Sequence, residues 1–98
     1  MATHTIDPER IAARTAATAS ATYLAEIVDI PKSKSRIEEV ELTDDGRYWL
    51  ITLSFDVPVE LNPSMGTTLA TVGERQYKVF KVDARSGEVL SMKIREIG

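Results

Sequence analysis

The chain contains no cysteine, a single histidine and no excess of positive charge. Without cysteine it can form no disulfide scaffold, thiolate metal centre or thiol nucleophile. His4, the residue best suited to titrate near neutral pH, sits in a terminal segment, residues 1–6, that is expected to be flexible, so no catalytic or metal role is assigned to it. Twelve basic and 15 acidic residues leave a formal charge of −3, which argues against nonspecific nucleic-acid binding, where cations against phosphates supply most of the affinity. Long apolar runs are missing too. Nowhere do about 20 apolar residues follow one another as a membrane span requires. The first 20 residues also lack the apolar core of a signal peptide, and Asp7 and Glu9 spoil the acid-poor pattern of a transit peptide. A cytoplasmic protein is expected. Glycines 46, 66, 73 and 87 are scattered and form no phosphate cradle, so no nucleotide or other cofactor is expected.

What remains is the balance of an ordinary globular chain, 98 residues with 28% charged and 43% hydrophobic. A single domain over residues 1–98 is expected, burying roughly 60 to 70% of its unfolded surface. Asp7-Pro8-Glu9 reads as a helix start, with Asp7 as N-cap and Pro8 at the first helical position. Ile6 and Ile11 fall at the staple positions that flank it. Ala12, Ala16, Ala19, Tyr23, Ile27 and Ile30 recur at spacings of three or four, with Leu24 and Val28 widening the stripe. This predicts one amphipathic helix from Pro8 to Val28, stopped by Pro31.

From Ile37 the period changes to two. Val40 and Leu42 alternate with Glu39 and Glu41, and Thr43-Asp44-Asp45-Gly46-Arg47 supplies a turn. Trp49, Ile51, Leu53, Phe55 and Val57 then form one apolar face of a central strand. Residues 58–74, punctuated by Pro58, Pro63, Gly66 and Gly73, read as a long loop. Gln76 to Asp83 and Val89 to Ile97 form a second hairpin around Gly87, with Leu90, Met92 and Ile94 on the buried side. In the third strand Tyr77 and Val79 compete with Phe80 and Val82 for the inner face, and Phe80 and Val82 are expected inside. The fold class is α+β, one helix packed on a four-stranded antiparallel sheet. One helix covers one face. The other would hold Tyr48, Leu50 and Thr52, with Tyr77, Val79, Val89 and Ile97, which is more apolar than a solvated surface needs.

The segment Tyr77-Lys78-Val79-Phe80-Lys81-Val82-Asp83-Ala84-Arg85-Ser86-Gly87-Glu88-Val89-Leu90 resembles the closing hairpin of PepSY-type domains. In both, an aromatic-rich strand ends in Val-Asp-Ala, turns at Gly and resumes with Glu-Val, after an Ala-rich helix. The resemblance extends more weakly to Glu41–Leu53 and so covers about two thirds of the chain. It implies a small noncatalytic module that regulates or inhibits enzymes, often proteases, by binding them. A weaker similarity is to gas vesicle accessory proteins of the O type, which also place a helix before an Asp-Gly turn and a Trp-bearing strand.

Other constellations favour plainer readings. Glu38, Glu39, Glu41, Asp44 and Asp45 lack the ligand order of a calcium loop and suit a solvated strand edge and turn. Lys32, Lys34 and Arg36 could touch a phosphate, but the glutamates that follow cancel their field. Trp49 stands at the head of the apolar face and is expected in the core rather than as a binding anchor. Leu61, Met65, Leu69 and Val72 either fold back over the open face or are available to a partner.

The expected function is a noncatalytic protein-binding or regulatory module. It would dock a protein partner or a second copy, as in a homodimer, through Tyr48, Leu50, Thr52, Leu61, Met65, Leu69 and Tyr77. The alternative is a small-ligand pocket, or a minor enzyme, lined by Tyr23, Trp49 and Tyr77.

Overall fold

A computed structural model describes residues 8–28, 34–60 and 71–95 of the chain. Helix α1 (Ala13–Val28) packs on a four-stranded antiparallel sheet in the order β1 (Ser35–Leu42), β2 (Tyr48–Glu60), β3 (Thr71–Asp83) and β4 (Val89–Ile94). Sheet order follows chain order, as in a meander, and the fold is α+β. No helix among the described residues is long and apolar enough to cross a membrane.

The core lies between α1 and the alternating side chains of the central strands. Ile51, Leu53 and Phe55 of β2 meet Phe80 and Val82 of β3, all at most 1% exposed. Trp49, Val89 and Met92 pack around them. Burying each large apolar side chain contributes about 1.5–3 kcal/mol before entropy is charged against it. The helix presents Ala16, Ala17, Ser20 and Leu24 to this layer. Small side chains bring its backbone close to the sheet, and the Ser20 hydroxyl donates to the Ala16 carbonyl at 2.9 Å, so no polar group is orphaned there. Tyr23 adds an edge-to-face contact with Phe80 at 6.3 Å. The buried stripe is therefore centred one position away from the predicted one, and Ile27, expected inside, is 58% exposed.

The helix also begins later than its sequence suggests. Pro8 to Arg10 form a turn, and the first helical amide bond runs from Ala16 N–H to the Ala12 carbonyl at 3.2 Å. Ile11 is held by the sheet instead: its N–H donates to the Ala84 carbonyl at 2.7 Å, and its carbonyl accepts the Trp49 indole N–H at 3.1 Å. Tertiary hydrogen bonds thus outcompete a further helical turn. Asp7, the predicted cap, lies outside the described residues.

Both tight turns are built alike. In the first, the Asp45 carboxylate accepts from the Thr43 hydroxyl and the Arg47 N–H, and Gly46 takes φ 71°. In the second, Asp83 accepts from the N–H groups of Arg85 and Ser86, and Gly87 takes φ 78°. That left-handed backbone is open to glycine at little cost.

Three expectations about the strands need correction. Residues 58–74 are not all loop, because β2 continues to Glu60 and β3 starts at Thr71, with Pro58 opposite Gly73. The pairing of β1 ends at Phe55 and that of β4 at Lys78, so residues 56–60 and 71–75 make a two-stranded ribbon. A strand with one partner tolerates proline on its unpaired side. In β4, the register shifts by one residue opposite Lys81 and Val82. This bulge sets Val89 opposite Val82 on the helix side, not on the open face, and leaves Leu90 47% exposed. Ile94 does face the helix side, opposite Lys78, but at the sheet edge it is 73% exposed. Phe80 and Val82 win the inner face of β3, as the sequence predicts.

Candidate functional site

The face turned away from α1 is assembled rung by rung from the strand register. Glu41, Leu50, Lys81 and Ser91 share one rung, and Glu39, Thr52, Val79 and Lys93 the next. Ser54 stands between Arg36 and Tyr77, and Tyr48 opposite Asp83. Of the predicted docking residues, Tyr48, Leu50, Thr52 and Tyr77 are thus brought to one face. Leu61, Met65 and Leu69 lie outside the described residues. Tyr23, Trp49 and Tyr77, the expected pocket lining, are not brought together: Tyr23 and Trp49 pack on the helix side, while Tyr77 is on the open face. Of the basic cluster, Lys34 and Arg36 are exposed, and Lys32 lies outside the described residues.

Part of the open face is roofed by the chain itself. Arg75 donates to Ser54 Oγ at 3.1 Å and stands 3.6 Å from Glu38 and 3.5 Å from Asp56. Ser54 in turn donates to Glu38 at 2.6 Å. Arg95 reaches from the end of β4 to donate to Thr52 Oγ1 at 3.2 Å and to pair with Glu39 on β1. Under these two guanidinium groups Ser54 is fully buried and Thr52 is 3% exposed. Thr52, an expected contact residue, accepts here from Arg95. Polar groups withdrawn from water this way stay favourable because each is hydrogen-bonded.

The rest of the face is open. Tyr48, Leu50 and Val79 are half-buried, and the Lys81 ammonium lies 4.2 Å from the centroid of the Tyr48 ring, with the Arg47 guanidinium at 5.5 Å. A groove of about 640 Å³ runs here, lined chiefly by Leu50, Thr52, Val79, Glu39, Glu41 and Arg95. Leu50 and Val79 supply its apolar part, Glu41 borders it, and Arg95 crosses it to Glu39.

Sequence reasoning missed Glu38, Glu39, Arg75 and Arg95 as the residues that shape this face. Strand parity signalled Glu39, Arg75 and Arg95, whereas Glu38 is the bulged residue, out of phase with Glu39. Arg75 is in phase with Tyr77 and Val79, and Arg95 with Lys93.

At the turn end, Asp45, Gly46, Arg47, Asp83 and Arg85 surround a smaller hollow of about 350 Å³. Both carboxylates are held below their ordinary pKa, Asp45 first by the Thr43 hydroxyl and Asp83 first by the Ser86 N–H. In each the Oδ1 atom takes both of the turn's hydrogen bonds, which is a structural role. Among the described residues no group of three or more His, Cys, Asp or Glu side chains is placed to hold a metal ion. Compared with known protein families, characterised proteins and solved structures, the chain finds no match.

Proposed function

We propose that the chain is a noncatalytic docking module that binds a protein partner through the open sheet face. The observation that carries this reading is the groove over Leu50 and Val79, edged by Glu39 and Glu41, with Arg95 crossing it to Thr52 and Glu39. An apolar floor favours burial at about 25 cal/mol per Å². The charged rim selects orientation more than it adds affinity. The fitting partner presents an apolar side chain between a cation, which meets Glu41, and an anion, which meets Lys81 or Arg95. The likeness of the 77–90 hairpin to PepSY-type domains agrees with this, since it implies regulation by binding rather than catalysis.

Affinity capture from native extract, with the full chain as bait, tests the proposal. Leu50→Asp and Tyr48→Asp should each lose a partner that the native chain recovers. Ile27→Asp, on the exposed back of α1, should retain it. A partner recovered equally by all four baits, or lost only with Ile27→Asp, would move the docking surface elsewhere.

A further inference from the structure

The two outer strands carry opposite charge on one face and uncovered apolar side chains on the other. On the helix side, Val40 of β1 is 42% exposed and Ile94 of β4 is 73% exposed. On the open face, β1 presents Glu39, paired with Arg95 of the same chain, and Glu41, whereas β4 presents Lys93. Among the described residues, no strand pairs with the outer side of either. Each edge is also regular over only part of its length. β1 is bulged between Ile37 and Glu39 and β4 opposite Lys81 and Val82, which leaves residues 39–42 and 91–94 as straight stretches. Unpaired edges template strand addition, and bulges and charges normally guard them. Here the guards leave two regular stretches of opposite sign.

We propose that copies of this chain join edge to edge, residues 39–42 of β1 in one copy adding antiparallel to the end of β4 in the next. One register satisfies both faces. Setting Glu41 opposite the neighbouring copy's Lys93 pairs opposite charges on the open face, while Glu39 keeps Arg95 of its own chain. On the helix side the same register brings Val40 against its Ile94 and Leu42 against its Met92. Two-fold arrangements do worse: β1 against β1 faces glutamates with glutamates, β4 against β4 faces cations with cations, and like charges directly opposite are destabilising. The contact is heterologous, so every added copy leaves one edge of each kind free, and growth does not stop at two. It shares Glu41 with the rim of the docking groove but leaves Leu50 and Val79 untouched.

Sedimentation velocity on the full chain, from micromolar to millimolar concentration, tests it. The average mass should rise past that of two copies. Glu41→Lys and Lys93→Glu should each shift association to concentrations about tenfold higher, because an attractive cross-strand pair becomes repulsive. The double variant should restore it, and Glu41→Gln and Lys93→Gln should give smaller shifts in the same direction. Leu50→Asp should leave it unchanged, which separates this contact from the docking face. A monomer at every concentration, an assembly that ends at two copies, or charge reversals without effect would overturn the proposal.

Discussion

Replacing Arg75 with Met removes the guanidinium that closes the open face over Ser54 and keeps most of the apolar stem. Three contacts are lost: the 3.1 Å hydrogen bond to Ser54 Oγ and the ion pairs with Glu38 and Asp56. A hydrogen bond from a charged donor contributes about 1.5–3 kcal/mol, and the lower end applies because the Arg75 side chain is 34% exposed. The ion pairs add about 0.2–1 kcal/mol each. The Asp56 pair falls at the bottom of that range, since Asp56 is 62% exposed. Ser54 keeps its donation to Glu38, so its proton is not orphaned. The expected loss is about 2 kcal/mol, or roughly 8–16 °C in Tm for a domain of this size. Urea unfolding followed by circular dichroism should give a lower midpoint with an unchanged slope. Ser54→Ala alone should cost about 1 kcal/mol, and the double variant less than the sum, since the shared bond is lost once. A cost below about 0.5 kcal/mol for Arg75→Met, or strict additivity, would refute the reasoning.

Trp49→Phe removes the indole donor to the Ile11 carbonyl and should cost about 1 kcal/mol, with faster amide exchange at Ile11 as its local signature. Gly87→Ala should lose about 1–2 kcal/mol in thermal unfolding. The new Cβ would meet Ile11 Cδ1 at an ordinary 3.6 Å, so the cost is the backbone at φ 78° and not a clash. Asp45 and Asp83 have lowered pKa values in the folded chain, so the stability they contribute is complete above their ordinary value of about 4 and is lost as pH falls through the lower folded values. Acid unfolding of Asp45→Asn/Asp83→Asn should accordingly be less steep below that pH than for the native chain.

Period-two alternation was the part of the fold most legible in the sequence. Trp49, Ile51, Leu53 and Phe55 point to the helix, and Tyr48, Leu50 and Thr52 away from it, because strand geometry leaves no third option. Alternation fails where a bulge inserts a residue, which is why Val89 faces the helix side and Leu90 is exposed, against expectation. The start of α1 was equally hidden, since Ile11 is placed by Ala84 and Trp49, far away in the chain. The open face was half legible. Its apolar residues could be read from pattern, but its closure depends on long side chains crossing several strands, and local sequence does not encode which carboxylate an arginine will reach.

Methyl NMR on the labelled chain, titrated with the partner that the native bait captures, reads the two faces of the sheet separately. Docking on the open face predicts that the Leu50 and Val79 methyl signals shift most while those of Leu24 and Val82, buried under α1, stay in place. Shifts concentrated at Ile27 or Ile37, both 58% exposed on the helix side of the molecule, would contradict it.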